Sequence, residues 1–155
     1  MEHSYFMRMA IELAAKNVDN GGGPFGAVIV RNGTVVATGV NRVTASNDPT
    51  AHAEVSAIRA ACLALGTFSL QGCVLYTSCE PCPMCLAAIY WAHIDAVYYG
   101  ADKDDAANAG FDDSFIYKEL VLPRNERSKP LGELLPDEAQ IPFEKWKNKS
   151  DKQTY

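Results

Sequence analysis

The sequence predicts an α/β protein, a three-layer α/β/α sandwich around a mixed central sheet. Two observations carry that expectation: a pair of Val- and Ile-rich segments joined by Asn32-Gly33, and after them an alternation of helix, strand, helix, strand. A tight hairpin is antiparallel, whereas strands separated by helices favour parallel pairing through crossovers, with helices on both faces of the sheet. With 155 residues, 48% of them hydrophobic, the chain can build one core without disulfides.

The elements follow in order. From Ser4 to Asn20, Phe6, Ala10, Leu13, Ala14 and Val18 recur at helical spacing, and Gly21-Gly22-Gly23-Pro24 stops the run. Phe25–Arg31 and Thr34–Asn41 read as the hairpin strands, because Asn-Gly tolerates the positive φ of its turn. Asp48 and Thr50 are candidate N-caps for an Ala-rich helix that runs to Leu65 and ends at Gly66. Cys73–Ser78 is a short apolar run suited to a buried strand, Pro81 and Pro83 suit the first turn of a helix over Met84–Ala92, and Asp95–Gly100 reads as the last strand. Beyond Leu120, Pro123, Pro130, Pro136 and Pro142 break up a polar stretch in which Phe143 and Trp146 mark a short terminal helix. The expected organisation is a domain over 1–121 and a tail over 122–155 that packs on its own or a partner subunit and closes over an active site.

Charge and cysteine content narrow the function. The 14 Lys and Arg against 19 Asp and Glu give a net charge of −5, a poor match for a long nucleic acid. Glu2 and Arg8 interrupt the amino end and no apolar stretch reaches membrane-spanning length, so a cytoplasmic protein is expected. Of five cysteines, Cys79, Cys82 and Cys85 crowd together at a spacing that suits a metal better than a disulfide framework.

The chemistry concentrates at two helix starts. His52-Ala53-Glu54 opens one helix and Cys82-Pro83-Met84-Cys85 opens another. Side chains in a first turn lean toward the helix N-terminus, where partial positive charge favours the thiolate form of cysteine. One imidazole and two thiolates, from His52, Cys82 and Cys85, suit a single Zn²⁺ per chain, and three ligands leave a fourth position for water. Glu54 is then available to move protons between that water, a ring nitrogen and a departing amine.

Each feature has a blander reading. Cys79 would complete a closed Cys3His structural site with the same residues, and the chain would then be a zinc-stabilised binding module. Asp112-Asp113 reads equally as a solvated turn or helix cap, and Asp102-Lys103-Asp104-Asp105 as a solvated turn. Cys62 and Cys73 read as small core residues, His3 as a solvated end residue and His93 as a helix-end residue. Gly26 beside Phe25 would let a planar ligand approach the backbone.

His52-Ala53-Glu54 with Pro81-Cys82-Pro83-Met84-Cys85 resembles the signature of the cytidine deaminase-like superfamily of zinc-dependent nucleobase and nucleoside deaminases. Gly22–Val28, Ser46–Glu54 and above all Ala109–Tyr117 look like the bacterial guanine deaminases within it. That resemblance implies guanine hydrolysed to xanthine and ammonia by a homodimer. It implies Asp113 as a second catalytic residue beside Glu54, and Asn41, Phe25, Asp113 and Tyr155 as contacts to the purine. Deaminases of cytosine, aminotriazines or transfer RNA adenosine would share the metal site.

Overall fold

The computed structural model describes residues 2–155. Two compact units divide at Ser114/Phe115, one helix ahead of the expected 121/122 division.

The first unit opens with helix α1 (His3–Asp19), followed by strands β1 (Gly26–Arg31) and β2 (Thr34–Val40). Asn32 and Gly33 join the strands with φ of 49° and 75°, the double positive φ that an Asn-Gly turn supplies. A one-turn helix α2 (Val43–Ser46) precedes α3 (Ala53–Leu65), β3 (Cys73–Cys79), α4 (Pro83–Trp91), β4 (Ala96–Ala101) and the short α5 (Lys103–Asn108). The strand order is β2-β1-β3-β4. The sheet is mixed, as expected, and β3 and β4, joined by the α4 crossover, pair in parallel. The α3 connection carries the chain from β2 over β1, so β3 lands against β1 and pairs with it antiparallel.

Side chains of β1 alternate between two cores, as period-two geometry requires. Ala27 and Ile29 join Leu75 and the small faces of α3 and α4 (Ala53, Ala57, Ala61, Ile89, Ala92) on one side. Val28 and Val30 join Tyr76 and the α1 residues Phe6 and Ala10 on the other. The expected three layers are therefore present. Helices approach the sheet closely at two glycines: a Cβ on Gly26 would collide with the Ala10 carbonyl, and one on Gly39 with the backbone of Ala53 and Ala57. Gly26 thus admits a helix to the strand rather than a planar ligand, which corrects its sequence-based reading.

Two further local expectations are revised. His3 is exposed but bonded, its Nδ1 2.8 Å from the Tyr76 hydroxyl and its Nε2 3.4 Å from that of Tyr98. Asp102 is the N-cap of α5: its carboxylate accepts from the backbone N–H of Asp104 and Asp105, while Asp105 accepts from the Asp102 N–H. This is a reciprocal capping box, which an acidic pair spaced by three announces at the sequence level.

The second unit, Phe115–Tyr155, carries most of α6 (Ser114–Val121), two 3-10 turns and α7 (Ile141–Lys147). Arg127 ties its first part together by donating to the carbonyls of Leu120 and Leu122. No residue of this unit is buried, and Leu134, Leu135, Ile141 and Phe143 all stand exposed. No helix among the described residues is long and apolar enough to cross a membrane.

Candidate metal and catalytic centre

The α3 and α4 helices begin in the same way. His52 is the N-cap of α3 (φ −69°, ψ 160°) and Cys82 the N-cap of α4 (φ −66°, ψ 168°), both in extended backbone. Asp48 and Thr50, the expected caps, act one step earlier. The Asp48 carboxylate accepts from the Thr50 N–H and hydroxyl, closing a turn, and the Thr50 carbonyl accepts from the His52 N–H at 2.8 Å. At α4, Pro83 occupies the first helical position, where its missing N–H costs nothing. The loop ahead of Cys82 is tied to β4 and α5: the Glu80 N–H donates to the Ala101 carbonyl, and the Glu80 carboxylate accepts from the Lys103 N–H at 3.1 Å.

These two starts bring three donor groups together. His52 Nδ1 lies 3.5 Å from Cys82 Sγ and 3.5 Å from Cys85 Sγ, and all three ligand atoms lie within 4.8 Å of one another. Tetrahedral zinc with Zn–N and Zn–S bonds of about 2.0–2.3 Å separates a nitrogen from a sulfur ligand by about 3.5 Å. The set therefore fits zinc, and it assigns Nδ1 rather than Nε2 to the metal. The Cys82 thiol is drawn well below the ordinary range by hydrogen bonds from Cys85 and His52, so one thiolate stands ready beside the imidazole.

Cys79 does not join the set. It ends β3, its thiol points to the Asp102 carbonyl at 3.7 Å, and burial with the nearby Glu54, Asp113 and Glu80 carboxylates pushes it up to about 11. A thiol held in its neutral form is a poor metal ligand.

Glu54 is 5% exposed on the first turn of α3. Burial raises its pKa, while the Cys85 thiol bonded to it pulls the other way. A buried carboxylate of weakened acidity, two residues from the candidate ligand His52, is suited to taking up and releasing a proton.

The two neighbouring aspartates, ambiguous in the sequence, have separate roles. Asp112 accepts from the N–H and hydroxyl of Ser114 at the start of α6. Asp113 does no such capping: its Oδ1 is buried without a hydrogen-bond partner among the described residues. Desolvation raises its pKa, with the Cys82, Glu80 and Asp112 charges adding to the effect, and its own charge acts on His52 and Cys79. An unpartnered buried carboxylate oxygen beside the metal cluster is an acceptor awaiting a donor.

Phe25 is half-buried, packs on the α3 side of the sheet and meets Phe111 edge-on, with ring centroids 5.0 Å apart. Asn41 follows the last residue of β2, and its Oδ1 accepts from the Val43 N–H at 3.2 Å. That bond turns the amide so that its NH2 group remains the free donor. Tyr155 belongs to the second unit and is exposed.

The model of the cytidine and deoxycytidylate deaminase zinc-binding region matches residues 1–101. The chain belongs to this deaminase family. Among the relatives of this deaminase, a Bacillus subtilis guanine deaminase is 56% identical over 100% of both chains. A crystal structure of guanine deaminase from Bacillus subtilis superposes with a TM-score of 0.97 over 100% of this chain and 99% of that one. A tRNA-specific adenosine deaminase of Agrobacterium fabrum is 45% identical over 70% of this chain and 73% of its own length.

Proposed function

We propose that this deaminase hydrolyses the exocyclic amine of guanine, converting guanine and water into xanthine and ammonia. The observation that carries the reading is the 56% identity to a guanine deaminase across the entire length of both chains, where the similarity to the Agrobacterium fabrum tRNA-specific adenosine deaminase covers 70% of this one.

His52, Cys82 and Cys85 would hold the zinc ion, whose positive charge would lower the pKa of water in the site to about 7. Glu54 takes one proton from the attacking water and delivers it to the adjacent ring nitrogen, then carries the remaining proton of the added hydroxyl to the amine, so that the carbonyl forms as the C–N bond breaks and ammonia leaves. Asp113 offers a carboxylate acceptor to the ring N–H and amine donors of guanine and assists the proton transfers. Asn41 offers its NH2 to ring acceptors, and Phe25 packs against the base. The unpaired Asp113 oxygen and the oriented Asn41 amide support this donor and acceptor assignment, because adenine presents a different pattern and would leave one of them unsatisfied.

The working form in this proposal is a homodimer in the cytoplasm, with the tail over 122–155, Tyr155 included, covering an active site of its own or the partner chain. The exposed Leu134, Leu135, Ile141 and Phe143 of a unit without any buried residue support a covered state. Reaction in heavy-oxygen water tests the hydrolytic route: one labelled oxygen per xanthine is expected. Unlabelled xanthine, or no xanthine, contradicts it.

A further inference from the structure

We infer that Asn17, an α1 residue outside every motif, is the positioning residue of the purine subsite. It fixes the main chain of Asn41 against the loop that leads to Phe25, and so sets where the Asn41 amide points. The inference rests on the reading of Asn41 as a purine contact.

The Asn17 side-chain NH2 spends both hydrogens on carbonyls from different segments: Gly23 at 2.8 Å and Asn41 at 2.9 Å. The Asn17 main-chain carbonyl accepts from the Gly22 N–H at 2.8 Å. One residue therefore grips the loop twice and the end of the hairpin once. The Gly23 carbonyl also accepts from the Phe25 N–H at 2.9 Å, and the Phe25 carbonyl accepts from the Asn41 N–H at 3.2 Å. A closed ring of hydrogen bonds thus runs from Asn17 through Gly23 and Phe25 to Asn41 and back.

Asn41 needs this support because β2 ends at Val40, so no ladder bond fixes its carbonyl. The loop leaves no slack: a Cβ on Gly22 would overlap the Asn17 amide, and one on Gly23 would press to 3.1 Å from Asn41 Cγ. Only a short side chain with two N–H donors satisfies both carbonyls. Aspartate has the same shape but turns two attractive contacts into repulsive ones, and glutamine is a methylene too long.

The test compares Asn17→Asp and Asn17→Ala with Asn41→Ala and with the Asn17→Asp/Asn41→Ala double variant, reading zinc content, melting temperature, kcat and KM for guanine. Asn17→Asp is expected to keep its zinc and to raise KM about ten-fold, since misplacing a binding group by about an ångström costs up to ~100-fold, while kcat falls far less. In the Asn41→Ala background the same change should have little further effect, because the residue through which it acts is gone. An unchanged KM in both Asn17 variants, with Asn41→Ala impaired, overturns the inference and leaves the Asn41 reading intact. So does an equal cost in both backgrounds, or a loss of zinc together with kcat and KM. A normal KM in Asn41→Ala removes the Asn41 reading, and the inference falls with it.

Discussion

His52 and Cys82 occupy equivalent positions, each the N-cap of its helix, and their side chains meet with Nδ1 3.5 Å from Sγ. Two helix ends thus converge on one point from separate crossovers of the same sheet. His52→Ala, Cys82→Ser and Cys85→Ser should each abolish the retention of one zinc per chain after dialysis. Cys79→Ser should retain zinc and most activity, because a thiol raised to about 11 contributes no thiolate near neutral pH. Metal analysis of the four variants decides the matter, and a requirement for Cys79 would reinstate the closed structural site.

Glu54→Gln keeps the side-chain shape and removes the proton acceptor. It should bind zinc normally and lose about 100- to 10,000-fold in kcat. Steady-state rates with a zinc assay on the same sample check this, and a rate within a few-fold of the parent would end the proton-transfer assignment.

Asp113→Asn removes the carboxylate whose buried Oδ1 lacks a partner. Guanine kcat/KM should fall about ten-fold or more, the cost of presenting a donor amide where an acceptor is needed. Melting temperature should hold or rise, since an unpartnered buried oxygen does not stabilise the fold. A lower melting temperature with normal kinetics would return Asp113 to a structural role.

The tail proposal calls for mixed refolding. Glu54→Ala has a dead centre and an intact tail, whereas a chain ending at Pro142 has the reverse. If tails serve partner subunits, the mixture should recover activity that neither parent shows. If each tail serves its own chain, mixing restores nothing, and an active truncated chain shows that residues 143–155 are dispensable.

Local signals in the sequence reached much of this molecule. The layers were legible because a hairpin is followed by alternating helices and strands whose ends Gly21, Gly66, Pro81 and Pro83 mark, whereas the split of the apolar β1 run into Ala27 and Ile29 on one face and Val28 and Val30 on the other emerged only in the structure. The antiparallel β1–β3 pair was not, since nothing in either strand states which neighbour it will take. The metal set was legible because helix starts carry marked chemistry, but the choice of Nδ1 depends on ring orientation that spacing does not encode. Asp112 and Asp113 looked alike until burial separated a cap from an unpaired acceptor. Asn17 carried no signal at all, because its partners are backbone carbonyls of residues 6 and 24 positions away.

The central claim is the reaction itself, and its most direct test is a comparison of kcat/KM for guanine with that for adenine, cytosine, an aminotriazine and a transfer RNA anticodon stem, following ammonia release by the zinc-loaded protein. Guanine should be turned over with one xanthine per ammonia and should exceed every other substrate by at least about 100-fold, with activity lost on chelation and restored by zinc. Inert guanine beside rapid turnover of any other substrate in the panel would contradict the account.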